Sequence, residues 1–202
     1  MKLYYSPGAC SLAVHIALRE IGANFDLEKV NLAVHETERG ANYNRINPKG
    51  YVPALKLEDG DMLTEVGVIL QYLADRKAEF GFAPRNGTIE RYHLMEWLTF
   101  ISSEIHKAFG PLSKPDMPQQ TKAAAKAEIA HRFDYVEARL AAKSWLMGDH
   151  FTIADMYLFT IVNWTNFHDM DISKWPKLQE FMSRTGARSK VREAMKTEGL
   201  VQ

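Results

Sequence analysis

The chain has 202 residues, enough for one large domain or two small ones. Its 25 basic and 25 acidic side chains cancel, so no large net field draws it to nucleic acid or to an anionic membrane surface. Hydrophobic residues make up 46% of the chain, the share of an ordinary globular protein, and no apolar run approaches the roughly 20 residues that cross a bilayer.

The first stretch, KLYY, is short, extended and aromatic and reads as a strand. Residues 11–22 repeat Leu12 with Ile16 and Ala13 with Ala17, the period of a helix, and Gly22 supplies the stop. NFDLEKVNL is a second strand with an imperfect alternation. HETERGANYNRINPKG is polar and rich in Gly, Pro and Asn, and reads as a weak helix and a loop. PALKLEDGDMLTE alternates on both sides of Asp59-Gly60-Asp61, a hairpin, and EVGVILQYLADRK closes as a helix. The order β-α-β-(α)-β-β-α predicts a mixed sheet with helices packed on it over residues 1–77.

A Gly/Pro-rich break over 78–88 follows, and after it no strand alternation remains. Leu94, Trp97, Leu98, Ile101 and Ile105 share one face, which predicts an amphipathic helix over about 89–109. TKAAAKAEIAHRFDYVEARLAAK is a second long helix. FTIADMYLFTIVNWTNF is apolar nearly all round, as a buried central helix is, and Thr152-Ile-Ala-Asp155 opens it as a capping box. Two shorter helices follow Trp175-Pro176 and Arg188. The chain therefore divides into an α/β domain over 1–77, a linker over 78–88 and an all-helical domain over 89–202.

Cys10 is the lone cysteine, so no internal disulfide forms; with no leader-like stretch after Met1, the setting reads as reducing and cytoplasmic. The thiol follows a Pro-Gly turn and precedes a helix start, where free N–H groups and the helix dipole stabilise a thiolate and lower its pKa from about 8.5. Tyr5 and Ser11 stand close enough in sequence to donate to a bound sulfur. A buried, inert cysteine acting as a small hydrophobe is the plainer alternative. Ala13 stands where a C-x-x-C motif would carry its second thiol, so a disulfide at Cys10 needs an outside thiol to resolve it, which points towards glutathione. The seven histidines form no H-x-x-x-H pair, and no metal site is expected. No glycine-rich phosphate loop and no G-x-S-x-G motif is present.

YSPGACSLAVHIALRE, NPKGYVPAL, LTEVGVILQYLAD, WLTFISSEIHK and FTIADMYLF, in this order and spacing, closely resemble the bacterial beta-class glutathione S-transferases, from Met1 to about Gly199. The resemblance implies a thioredoxin-like N-terminal domain, an all-helical C-terminal domain, a homodimer, and glutathione in a cleft between the domains. It implies that Val52-Pro53 holds glutathione's cysteinyl backbone through a cis proline, that Glu65-Val66 takes the γ-glutamyl end, and that Thr99, Ser103 and His106 form the other wall. His106 would stand near the sulfur, donating a hydrogen bond or moving a proton near neutral pH. Lys107 and the Phe109 region would shape the cleft for the second substrate. Cys10 would contact glutathione's sulfur and form a mixed disulfide with it. Three positions depart from the family pattern: Val66 where a hydroxyl residue is frequent, Thr99 where asparagine is usual, and His35 where a lysine often holds the glycine carboxylate. The implied reaction is attack of the glutathione thiolate on a small hydrophobic electrophile. Thiol-disulfide exchange or peroxide reduction is the rival chemistry, and a non-catalytic binding member of the fold the rival class.

Overall fold

The computed structural model describes Met1–Gln202. The chain forms two compact units, Met1–Phe80 with Ala187–Gln202, and Gly81–Gly186.

In the first unit, β1 (Lys2–Tyr5), α1 (Ser11–Glu20) and β2 (Asp26–Asn31) make a parallel crossover, with Leu3 opposite Leu27. Gly22, at φ 61°, ends α1 in the left-handed region that favours glycine. β3 is only Glu36–Thr37, paired antiparallel to β2. β4 (Ala54–Lys56) runs antiparallel to β1 and forms the expected hairpin with β5 (Met62–Thr64), whose turn places Gly60 at φ 99°. The sheet order is β3-β2-β1-β4-β5, the thioredoxin-like mixed sheet. α2 (Val66–Arg76) follows β5 directly.

The polar segment before Pro53 differs from its sequence reading. It contains β3 and one short 3₁₀ turn, Tyr43–Arg45, rather than a helix. Asn42 caps that turn through its side chain, and its low apolar content gives a longer helix no face to bury. Tyr43, fully buried, packs with Tyr4, Val30, Val52 and Ala54. Its hydroxyl donates to the Tyr51 carbonyl at 3.0 Å, as does Asn47 Nδ2 at 2.8 Å. The core thus pins the backbone that leads into Val52-Pro53.

α7 (Ser189–Thr197) belongs to this unit and packs on α1, whereas the sequence reading grouped it with the helices of 89–202. The join is polar and buried. His15 donates from Nδ1 to Glu198 Oε1 at 2.8 Å, Arg19 Nε donates to His15 Nε2 at 2.9 Å, and the Gly8 N–H donates to Glu198 Oε2 at 2.9 Å. Because Arg19 can only donate, Nε2 accepts and Nδ1 carries the proton.

The second unit is all helix. α3 (Ile89–Phe100) is capped by Thr88, whose hydroxyl accepts the Arg91 N–H. α3 continues into a π-helical segment, Ile101–His106, and a 3₁₀ turn, Lys107–Phe109. α4 (Gln119–Ala142) buries Ala125, Ile129, Phe133, Val136 and Leu140 as one stripe. α5 (Ile153–Val162) is buried along its whole length, as its apolar sequence predicts. Its capping box forms: Asp155 accepts from the Thr152 N–H and hydroxyl, each at 2.8 Å, and also from the Leu146 N–H at 2.9 Å. α6 (Pro176–Gly186) closes the unit. No helix is long and apolar enough to cross a membrane.

Candidate active site

In the first unit, Ser6–Cys10 turn the chain between β1 and α1, with Gly8 at φ 73°. Ser11 braces this turn. Its buried hydroxyl donates to the Ser6 carbonyl and accepts the Ser6 N–H, both at 3.3 Å. The hydroxyl expected at a bound sulfur is therefore already engaged in the turn. Tyr5 is buried too, and its ring packs on His15 at 6.2 Å rather than at the thiol.

Cys10 occupies the position just before α1 and is partly buried. Burial pushes its thiol up to about 12, with Glu65's charge adding to the rise, against the pull of the Cys10 and Ser11 N–H groups. The expected lowering by the helix start is overturned because desolvation of the anion outweighs two backbone donors. The protonated thiol donates to the Val52 carbonyl at 3.2 Å. The Val52-Pro53 bond is cis.

The β4–β5 hairpin connects Pro53 to Glu65. Glu65 sits just before α2 at φ 69°, a left-handed backbone for a residue with a side chain. Its Oε1 accepts Lys49 Nζ at 2.6 Å and the Tyr51 hydroxyl at 2.7 Å, and Lys49 Nζ also donates to Thr64 Oγ1 at 3.0 Å. These hydrogen bonds hold Glu65 below the ordinary carboxylate range. Val66 is buried and begins α2, whose first N–H groups have no acceptor inside the helix. His35, at φ 50°, lies against Gly50, where an added Cβ would stand 3.1 Å from its Cε1. Its Nδ1 is buried without a hydrogen-bond partner.

In the helical unit, Thr99 lies on α3, and Ser103 and His106 lie on the π-helical segment that continues it. The π-helical segment widens the turn after Phe100, so α-helical spacing no longer carries position 99 to position 106. Thr99, Ser103 and Lys107 are exposed, and the Ser103 hydroxyl donates to Glu104 at 3.3 Å. His106 turns inward: Nδ1 lies 2.7 Å from the Tyr157 hydroxyl, and its ring packs edge-on to Trp164 at 4.8 Å. Burial, with a smaller push from Lys107, lowers its pKa to about 4. His106 is therefore neutral at pH 7, which favours hydrogen bonding over proton transfer near neutrality, the two roles the resemblance left open. Phe109 is buried against Trp164 at 5.6 Å.

Sequence reasoning missed three participants. Lys49 and Tyr51 flank Gly50 in the same NPKGYVP segment that supplied Val52-Pro53, and that adjacency was the available signal. Tyr157 read as core, which its 1% exposure bears out, but no periodicity reveals that its hydroxyl meets a histidine 51 positions away.

A thioredoxin-like sheet bearing a cysteine at its first helix and a cis proline beside it, joined in sequence to a helical unit, defines the class. The glutathione S-transferase N-terminal domain model matches residues 8–76 and the C-terminal domain model residues 100–188. The glutathione S-transferase GstA of Escherichia coli O157:H7 is 43% identical over 99% of this chain and 100% of its own length. The beta-class glutathione S-transferase of Sphingomonas chungbukensis superposes with a TM-score of 0.97 at 45% identity, and a sphingomonad glutathione S-transferase complexed with glutathione with 0.96 at 43%, each covering 100% of both chains. The chain belongs to the glutathione S-transferase family, among the bacterial beta-class enzymes.

Proposed function

We propose that the enzyme binds glutathione on the Cys10, Val52 and Glu65 surface and conjugates it to small hydrophobic electrophiles. The observation that carries this reading is the meeting of Cys10 with Val52 at the cis proline, one hairpin away from Glu65. Val52 offers backbone groups to the cysteinyl residue, much as an added strand would pair. Glu65 takes the γ-glutamyl ammonium. His35 offers a ring nitrogen still lacking a partner. In the reaction, glutathione's thiol gives its proton to solvent, the thiolate forms a bond to the electrophilic carbon, and the leaving group departs with the electrons of the broken bond.

Cys10 serves a second chemistry. Its thiolate attacks oxidised glutathione, a Cys10–glutathione disulfide forms, and a glutathione thiolate leaves. A thiol pushed up by burial is scarcely ionised at neutral pH, which slows its attack on a disulfide. The resemblance further supports a cytoplasmic homodimer, and the exposed apolar residues Ile89, Tyr92, Met95 and Tyr135 of α3 and α4 fit its dimeric part. A monomeric mass by light scattering overturns that part.

The test is intact mass after incubation with oxidised glutathione, alongside conjugation of a model aryl halide, for the wild type and Cys10→Ala. An adduct on the wild type alone, with conjugation surviving in the variant, is the expected result. Neither adduct nor conjugation would leave a non-catalytic member of the fold.

A further inference from the structure

We infer that Lys49 is a specificity-determining residue of the γ-glutamyl subsite: it reads the ligand's α-carboxylate while Glu65 takes the α-ammonium. The inference rests on the glutathione reading above and extends it to a residue outside the family pattern. Lys49 and Tyr51 both bond Glu65 Oε1, and Oε2 carries no donor from the chain. An incoming ammonium can thus bind Oε2 without displacing Lys49. A bare carboxylate would attract any amine. A carboxylate with an ammonium 2.6 Å from it is a charge pair, and its complement is another charge pair set the opposite way. The α-amino-acid end of glutathione is such a pair, with both charges on one carbon.

Two further features favour this role over a structural one. The Lys49–Glu65 contact is about half exposed on both sides, a setting in which ion pairs add little to folding. Position 66 is valine, with no hydroxyl for the α-carboxylate, so the N–H groups opening α2 have no side-chain help from their own helix. Lys49 Nζ, already at Thr64 and Glu65, is the cation within reach of that helix start.

The test is the affinity of wild type and Lys49→Met for three tripeptides by titration calorimetry: glutathione, 4-aminobutyryl-Cys-Gly, which lacks the α-carboxylate, and glutaryl-Cys-Gly, which lacks the α-ammonium. Lys49→Met is expected to lose about tenfold for glutathione and for the glutaryl peptide, the scale of one charge-assisted hydrogen bond, and to bind the aminobutyryl peptide as the wild type does. Lys49→Arg should restore most of the loss. An equal loss for glutathione and the aminobutyryl peptide would make Lys49 only a prop for Glu65, and unchanged or tighter glutathione binding would make it a competitor of the ammonium. Either result overturns the inference alone. A wild type that binds none of the three overturns the glutathione reading, and the inference falls with it.

Discussion

Glu65 and Cys10 are two acids of one surface pushed in opposite directions by their neighbours. Glu65 is held low by hydrogen bonds from Lys49 and Tyr51, and its ionised form is the one that holds an ammonium. If Glu65 takes the γ-glutamyl ammonium as proposed, glutathione affinity should be full throughout and above the ordinary carboxylate range and fall only as the pH drops through the lowered value of the folded state. Tyr51→Phe removes one of those donors, so the acid limb of a plot of Kd against pH should move upward; an unmoved limb refutes the assignment. Cys10 lies on the other side of the balance, because burial outweighs its backbone donors. Its alkylation by iodoacetamide should be slow at neutral pH and keep climbing where an ordinary thiol, at about 8.5, has levelled off. A plateau at or below that value would mean that the helix start wins after all. The position of Cys10 before a helix was legible from the residues alone, whereas Val52, Pro53 and Glu65 were singled out by the resemblance to the family. The sign of the Cys10 shift was not legible, since a helix start is visible in a string of letters and the desolvation of a sulfur is not.

Among the elements, the capping box of α5 and the long helix leading to His106 mark what pattern can and cannot reach. Thr152 and Asp155 were readable as a cap because the motif is local. Asp155→Ala removes the acceptor for three donors, two of them buried backbone groups, and should cost about 2–4 kcal/mol in urea unfolding; a loss under about 0.5 kcal/mol, the level of an ordinary surface substitution, would deny it that role. The π-helical segment was illegible because the apolar stripe of α3 continues through it to Ile105 and reads as unbroken α-helix. Thr99 before the wider turn and Ser103 within it are exposed, and His106 at its end meets Tyr157. The join of α1 and α7 was illegible for another reason: its residues lie 183 positions apart in His15 and Glu198. Glu198→Ala takes the acceptor from the buried His15 Nδ1, and a destabilisation of about 2–3 kcal/mol is expected.

For the molecule as a whole, the α/β-then-helical order was plain from the change of period at the 78–88 break, and both units have the expected architecture. The discontinuity of the first unit was not, because a short amphipathic helix such as α7 carries no mark of the partner it will pack on. A chain ending at Gly186 should keep the helical content of the second unit in circular dichroism yet lose retention on immobilised glutathione, since the turn before Cys10 is tied to Glu198. Full retention would show that the first unit stands without its last helix.

Because Gly8 waits for Glu198, the unit that bears the thiol is begun first on the ribosome and finished last, after the entire helical unit has emerged. A chain released before Glu198 thus lacks one of the hydrogen bonds that hold the turn leading to Cys10.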